Sequence, residues 1–196
     1  MGMPVSFLIR VAFWLWFGAA LAAGHFLVLQ RIPPVAVQGI IFGLIAILLL
    51  VYFRIGAVRT WVDSLDLRTL VLIHITRFVG IYFLILYQRG ELPRAFAVPA
   101  GFGDIVVATM ALPVALAPLA EGARRRAIRI WNVVGFVDIL FVVLTAGRLN
   151  LADPTPLRAL THLPLSLLPT FLVPLIAATH IVLFIRTATP AERGAR

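Results

Sequence analysis

Residues 67–87 read LRTLVLIHITRFVGIYFLILY. Beyond Arg68 this run is almost wholly apolar, yet it carries His74 and Arg77 in its middle. Twenty-one residues wound as an α-helix extend about 30 Å at 1.5 Å per residue, the thickness of a bilayer's hydrocarbon core. The stretch therefore reads as a helix that crosses a membrane.

Five further apolar runs of similar length flank it. With it they form the segments Val5–Leu29, Val35–Phe53, Leu67–Tyr87, Ala100–Ala120, Ile128–Ala146 and Leu165–Ile185. The breaks carry turn and charge signals: Arg31 with Pro33-Pro34, Arg59 through Arg68, Arg89-Gly90 with Pro93-Arg94, Arg124–Arg126, and Asp153-Pro154. No internal repeat, soluble domain or long linker interrupts them. The expected architecture is an all-α integral membrane protein, one polytopic domain over residues 1–196, folded as a bundle of six transmembrane helices.

Composition agrees. Only 13% of residues are charged and the mean hydropathy is +1.04, whereas a soluble domain needs about 25% charged residues to solvate its surface. In lipid an apolar exterior carries no penalty. The net charge of +9 comes from seventeen Arg and no Lys, a bias consistent with a GC-rich genome and a bacterial cytoplasmic membrane. These Arg fall mostly in the breaks, as membrane topology places them, so nucleic acid is not the expected partner; the bilayer is. The absence of Cys removes disulfides, thiolate nucleophiles and Cys-ligated metals.

Arginine placement sets the orientation. With the N-terminus inside, the inner side holds Arg54, Arg59, Arg68, Arg124, Arg125, Arg126, Arg129, Arg186, Arg193 and Arg196; the outer side holds Arg31, Arg89, Arg94, Arg148 and Arg158. Ten against five places both termini in the cytoplasm. Trp61 and Trp131 fall near inner boundaries, where interfacial anchors belong. Arg10 and Ala20-Leu21-Ala22 imitate a signal sequence and its cleavage site, but the apolar run continues through Leu29.

The informative residues are those that hydrocarbon excludes. A charged side chain at the bilayer centre costs about 2.5–3.5 kcal/mol on insertion scales. Arg77 and Asp138 lie nearest segment centres and form the natural pair, either a structural glue or a site for an anion or proton. His74 and His180 sit at matching depth about 6 Å towards the cytoplasm, Asn132 slightly deeper, and Asp104 and His25 towards the outer side. His74 precedes Arg77 by three residues and shares its face. On segment five Asn132, Gly135 and Asp138 step round one face, and Gly135 admits a close neighbour. Segments three and five are thus expected to meet around a polar centre. In segment six, Pro169 and Pro174 free the carbonyls of Leu165 and Thr170.

Three readings follow. The leading one is a buried polar site, Arg77, Asp138, His74, His180, Asn132 and Asp104, that handles an ion, proton or small ligand in a transporter or channel; a homo-oligomer would answer the small number of spans. The second is a haem or metal centre with His74 and His180 as ligands, supplemented by Asp138 or Asn132. The third is an enzyme. Gly101-Phe102-Gly103-Asp104 resembles the Gly-x-Gly-Asp motif of intramembrane aspartyl proteases such as presenilin and signal peptide peptidase. That resemblance implies Asp104 and Asp138 as paired catalytic acids, although no deep acid precedes Asp104 and the family's Pro-Ala-Leu motif is missing. Serine-hydrolase, phosphate-loop and zinc-protease motifs are absent. Gly90 through Gly101, rich in turn formers, is expected to fold back over the outer end towards Asp104.

Overall fold

The computed structural model describes residues 4–188. Among them, six helices are long and apolar enough to cross a membrane: α1 (Val5–His25), α2 (Pro34–Arg54), α4 (Leu67–Gln88), α5 (Arg94–Leu116), α6 (Glu121–Ala152) and α7 (Leu168–Ala188). A short helix, α3 (Gly56–Ser64), joins α2 to α4. Arg193 and Arg196 lie outside the described residues. α5 packs between α4 and α6, α7 packs on α6 and α2, and α1 touches only the rim of this group, against α3 and the start of α7.

The apolar runs locate the helices, and the caps move their ends. α4 stops where expected because Gly90 adopts φ +73° and Glu91 N–H bonds back to Leu86 O at 2.8 Å, a glycine-terminated helix end. The chain then needs only a few residues to reverse. Pro93 supplies the extended residue before the next helix, and its carbonyl accepts from Phe96 and Ala97. α5 accordingly begins at Arg94, six residues before the expected Ala100. The Gly90–Gly101 stretch is therefore no re-entrant loop: most of it is the first turns of α5, with Pro99 inside.

α6 likewise runs 32 residues, past both ends of its apolar core. Its N-terminal turns carry Arg124, Arg125 and Arg129 to the end of the bundle where several helices stop. There Arg124 donates to the carbonyls of Ala115, Ala117 and Leu119, Arg125 to Arg186 O, and Arg129 to Thr187 O. Arg186 donates to Val62, Asp63 and Leu65 at the end of α3. Final-turn carbonyls have no partner inside their own helix, so these arginines cap neighbours as well as mark a side. The earlier start of α6 also sinks Trp131 into the core, 5% exposed, with its indole N–H on Val107 O at 3.0 Å. Trp131 is a packing residue and not the interfacial anchor its sequence position implied.

Two helices depart from α geometry, α4 at mid-length and α7 at its start. α4 tightens into a 3-10 stretch at Ile73–Phe78, and α7 opens with a π turn at Leu168–Leu172. Both carbonyls that the α7 prolines free find donors. Leu165 O takes the Leu168 N–H, and Thr170 O takes the indole N–H of Trp16 at 2.9 Å. Phe171 fills the gap between Phe13, Trp16 and Phe17. The π turn that opens α7 is thus the socket that holds α1.

Apolar packing closes the arginine-rich end around Leu70, Val71, Ile128 and Leu183, each at most 3% exposed. The opposite end packs around Phe83, Leu86, Phe96 and Leu157, and a cavity beside them reaches the site.

Candidate functional site

Arg77 is 1% exposed and stands in the 3-10 stretch of α4. Its Nε donates to Asp104 Oδ1 of α5 at 2.6 Å, its Nη1 to Gly135 O of α6 at 2.9 Å, and its Nη2 to Asp138 Oδ2 of α6. The expected Arg77–Asp138 pair is present, but Asp104 belongs to it equally. Sequence placed Asp104 too far towards the outer side because α5 starts six residues early, which brings Asp104 to mid-helix. The guanidinium thereby spans from α4 to α6 across α5, the helix that packs between them. With both carboxylates ionised the set carries one negative charge in excess.

Small residues make this geometry possible. At Gly80 an added Cβ would come within 2.5 Å of Gly101 O, and at Gly101 within 2.9 Å of Gly80 O. This crossing brings α4 against α5 just beyond Arg77 and Asp104. At Gly103 a Cβ would overlap the Asp138 carboxylate itself. The Gly-x-Gly-Asp stretch is thus a close-packing device around a salt bridge.

On the arginine-rich side of this cluster lie the two histidines. His180 Nδ1 contacts Asn132 Oδ1 at 2.7 Å, and Asn132 Nδ2 donates to His180 O at 3.0 Å. The amide is therefore oriented, and neutral His180 carries its proton on Nδ1. Thr179 spends its hydroxyl proton on Ile176 O, so His74 Nε2 donates to Thr179 Oγ1 at 3.2 Å. The other ring nitrogens, His74 Nδ1 and His180 Nε2, are buried without a hydrogen-bonding partner among the described residues. The rings touch, with centroids 4.2 Å apart, and Trp131 and Phe136 flank them. At Gly135 a Cβ would lie 2.6 Å from His180 Cε1, so this glycine admits the ring beside the carbonyl that Arg77 holds. His25, by contrast, is exposed at the end of α1.

All six candidate residues thus form one seam: Arg77 with Asp104 and Asp138, then Gly135, His180 with Asn132, and His74. Sequence reading missed Thr179 and Gly80 and gave Trp131 another role, whereas Gly103 stood in the Gly-x-Gly-Asp motif. Gly80, three residues after Arg77, was the available signal.

The seam does not fit a haem or a metal held between the two histidines. Ligation from opposite sides of one ion, with bonds of about 2 Å, holds the nitrogens alone about 4 Å apart and the ring centres farther. Centroids at 4.2 Å leave no such slot. Among the described residues no three His, Asp or Glu converge as a metal cluster. The aspartyl-protease arrangement does not fit either. Its two carboxylates must share a proton and a water, whereas here each is turned to the guanidinium.

A cavity of about 480 Å³ reaches the seam. Gln30, Asn150, Thr155 and Arg158 line it at the end opposite the arginine-rich one, Ile41, Phe83, Val143 and Ile176 form walls, and Arg77 and Asp104 form its floor. Asp138 and both buried histidines lie behind that floor, outside the lining. The volume falls within the range of about 300–1,000 Å³ usual for small-molecule sites, and apolar walls with few convergent polar groups are their usual chemistry.

Residues 34–188 match the family described as "Domain of unknown function (DUF8737)", and the chain belongs to that family. The match begins at the first residue of α2 and leaves out α1. No curated protein and no solved structure matches the chain.

Proposed function

We propose that this member of the family is a membrane carrier for a small amphipathic ligand with a cationic head, and that a proton competes with that head for the buried seam. In this reading both termini are cytoplasmic and the cavity opens outward, while the Leu70, Val71, Ile128 and Leu183 packing closes the inner side.

The observation that carries the reading is the cavity floor, Arg77 with Asp104, together with Asp138 behind it on the same guanidinium at mid-helix depth. A buried site of low dielectric does not tolerate an unneutralised charge. Two carboxylates against one guanidinium leave room for one positive charge, which a proton or a ligand ammonium group supplies. Since either suffices and both together overshoot, the two exclude each other. Apolar walls take the ligand's tail.

The chain has no Cys, so single cysteines report access directly. In right-side-out membranes, Val143→Cys on the cavity wall should react with a membrane-impermeant thiol reagent, and Leu183→Cys in the inner packing should not. Protein in weakly buffered detergent should release protons when a hydrophobic amine is added. Protection of Val143→Cys from reagent on both sides, or amine binding without proton release, would refute the proposal.

A further inference from the structure

We infer that Asp138 holds a proton on Oδ1 and presents it to the apolar outer surface of the bundle, where a lipophilic carbodiimide reaches it. The inference rests on the membrane reading above, but it uses neither the cavity nor a ligand.

The two carboxylates around Arg77 face different surroundings. Asp104 lies on the cavity floor and is 4% exposed. Asp138 does not line the cavity, yet its side chain keeps 16% of its surface accessible. That access opens among apolar neighbours. On α6, Val134, Val137 and Phe141 are 52%, 60% and 47% exposed; on α5, Phe102 and Val106 on either side of Gly103 are 58% and 52% exposed. A surface of this kind at mid-helix depth faces hydrocarbon, not water.

The hydrogen bonds divide Asp138 in the same way. Oδ2 takes the Arg77 donor, while Oδ1 lies against Gly103, and no hydrogen bond to it occurs among the described residues. A bare carboxylate oxygen against hydrocarbon is costly, whereas a protonated one is not. The groups that face Asp138 are Arg77 from α4 and Asp104 from α5, with His180 of α7 behind Gly135 and His74 beyond it. Of these only Arg77 carries a fixed positive charge, and Asp104 already holds its Nε at 2.6 Å. Arg77 bonds one oxygen of each acid, but Asp104 faces the cavity while Oδ1 of Asp138 faces the apolar surface, so the one proton that makes the seam neutral belongs on Asp138.

A carbodiimide reads this state. The carboxylic proton passes to a carbodiimide nitrogen and the carboxylate oxygen bonds to the central carbon, giving an O-acylisourea. Acyl migration to nitrogen then leaves a stable N-acylurea. Nothing departs, so the adduct has the summed mass of both reactants. The other described acids, Asp63, Asp66, Glu91, Glu121 and Asp153, lie near helix ends or in connections, where a water-soluble carbodiimide reaches them.

The full chain in phosphatidylcholine liposomes is treated with dicyclohexylcarbodiimide near neutral pH and, separately, with a water-soluble carbodiimide. Peptide mass spectrometry should map the lipophilic adduct to Asp138, decreasing as pH rises, with no water-soluble adduct there. In Asp104→Asn the seam is neutral without a proton, so labelling of Asp138 should fall about tenfold, as removal of a neighbouring like charge implies. Should that variant not fold, the site map of the unaltered chain decides. An adduct on Asp104 in place of Asp138, no adduct on either, equal reaction with the water-soluble reagent, or undiminished labelling in folded Asp104→Asn would overturn the inference. Failure here leaves the thiol-access test of the cavity unaffected, and failure of that test leaves this one unaffected.

Discussion

Replacing Arg77 by Gln tests the seam most directly. The substitution removes three donated hydrogen bonds to two helices and leaves Asp104 and Asp138 buried without their cation. Removing one partner of a buried ion pair costs about 3–5 kcal/mol, because the remaining charge is uncompensated. Each Asp→Asn change deletes a charge-assisted bond worth about 1.5–3 kcal/mol, yet it also removes the excess charge. The order of effects should therefore be Arg77→Gln well above Asp104→Asn and Asp138→Asn, with both aspartates contributing. In a chain of this size 1 kcal/mol corresponds to about 2–4 °C in Tm. Thermal unfolding in detergent should thus fall about 6–20 °C for Arg77→Gln and about 3–12 °C for each aspartate variant. The loss in Arg77→Gln should shrink at low pH, where both carboxyls are protonated and need no cation. A change at Asp104 that leaves Tm unaltered would show that Arg77 does not bridge α5 and α6 as described.

Three further outcomes can be checked, the first two by the same thermal unfolding. Gly103→Ala should displace the Asp138 carboxylate and cost about 1–3 kcal/mol, as overpacking does, while Gly39→Ala, with open space around it, should be neutral. Trp16→Phe keeps an aromatic ring but leaves Thr170 O without a donor, about 1–3 kcal/mol if that carbonyl stays buried. Adding Pro174→Ala should recover part of that loss, since residue 174 then regains the N–H that can reach Thr170 O; the double variant behaving no better than Trp16→Phe would refute that role. Gly135→Val should force His180 away from the seam and abolish its contact with Asn132, read as a changed His180 ring signal in NMR of labelled protein.

The six long helices were legible because their cause is local. Each run of about 20 apolar residues satisfies its own backbone by helix formation and requires nothing from the rest of the chain. The unusual residues were legible for the same reason: Arg77, Asp138, Asp104 and the two histidines stand out against any apolar background. Pro169 and Pro174 announced freed carbonyls, and Gly90 announced the end of α4.

What sequence could not supply was who meets whom. Helix ends depend on caps, and a six-residue error at the start of α5 displaced Asp104 by about 9 Å of helix, enough to hide it from Arg77. The seven extra residues at the start of α6 similarly turned Trp131 from a surface anchor into a wall of the histidine pair. An arginine side chain long enough to cross a neighbouring helix can choose among several acids, and a freed carbonyl among several donors. Only the crossing of α4 and α5 at Gly80 and Gly101, and the space at Gly103 and Gly135, decide that Arg77 takes both aspartates and that His180 sits beside them. Sequence alone determined the helices and their polar misfits, because those follow from short-range hydropathy. The tertiary structure decided the seam and its cavity, because these follow from packing between residues that are far apart in the chain.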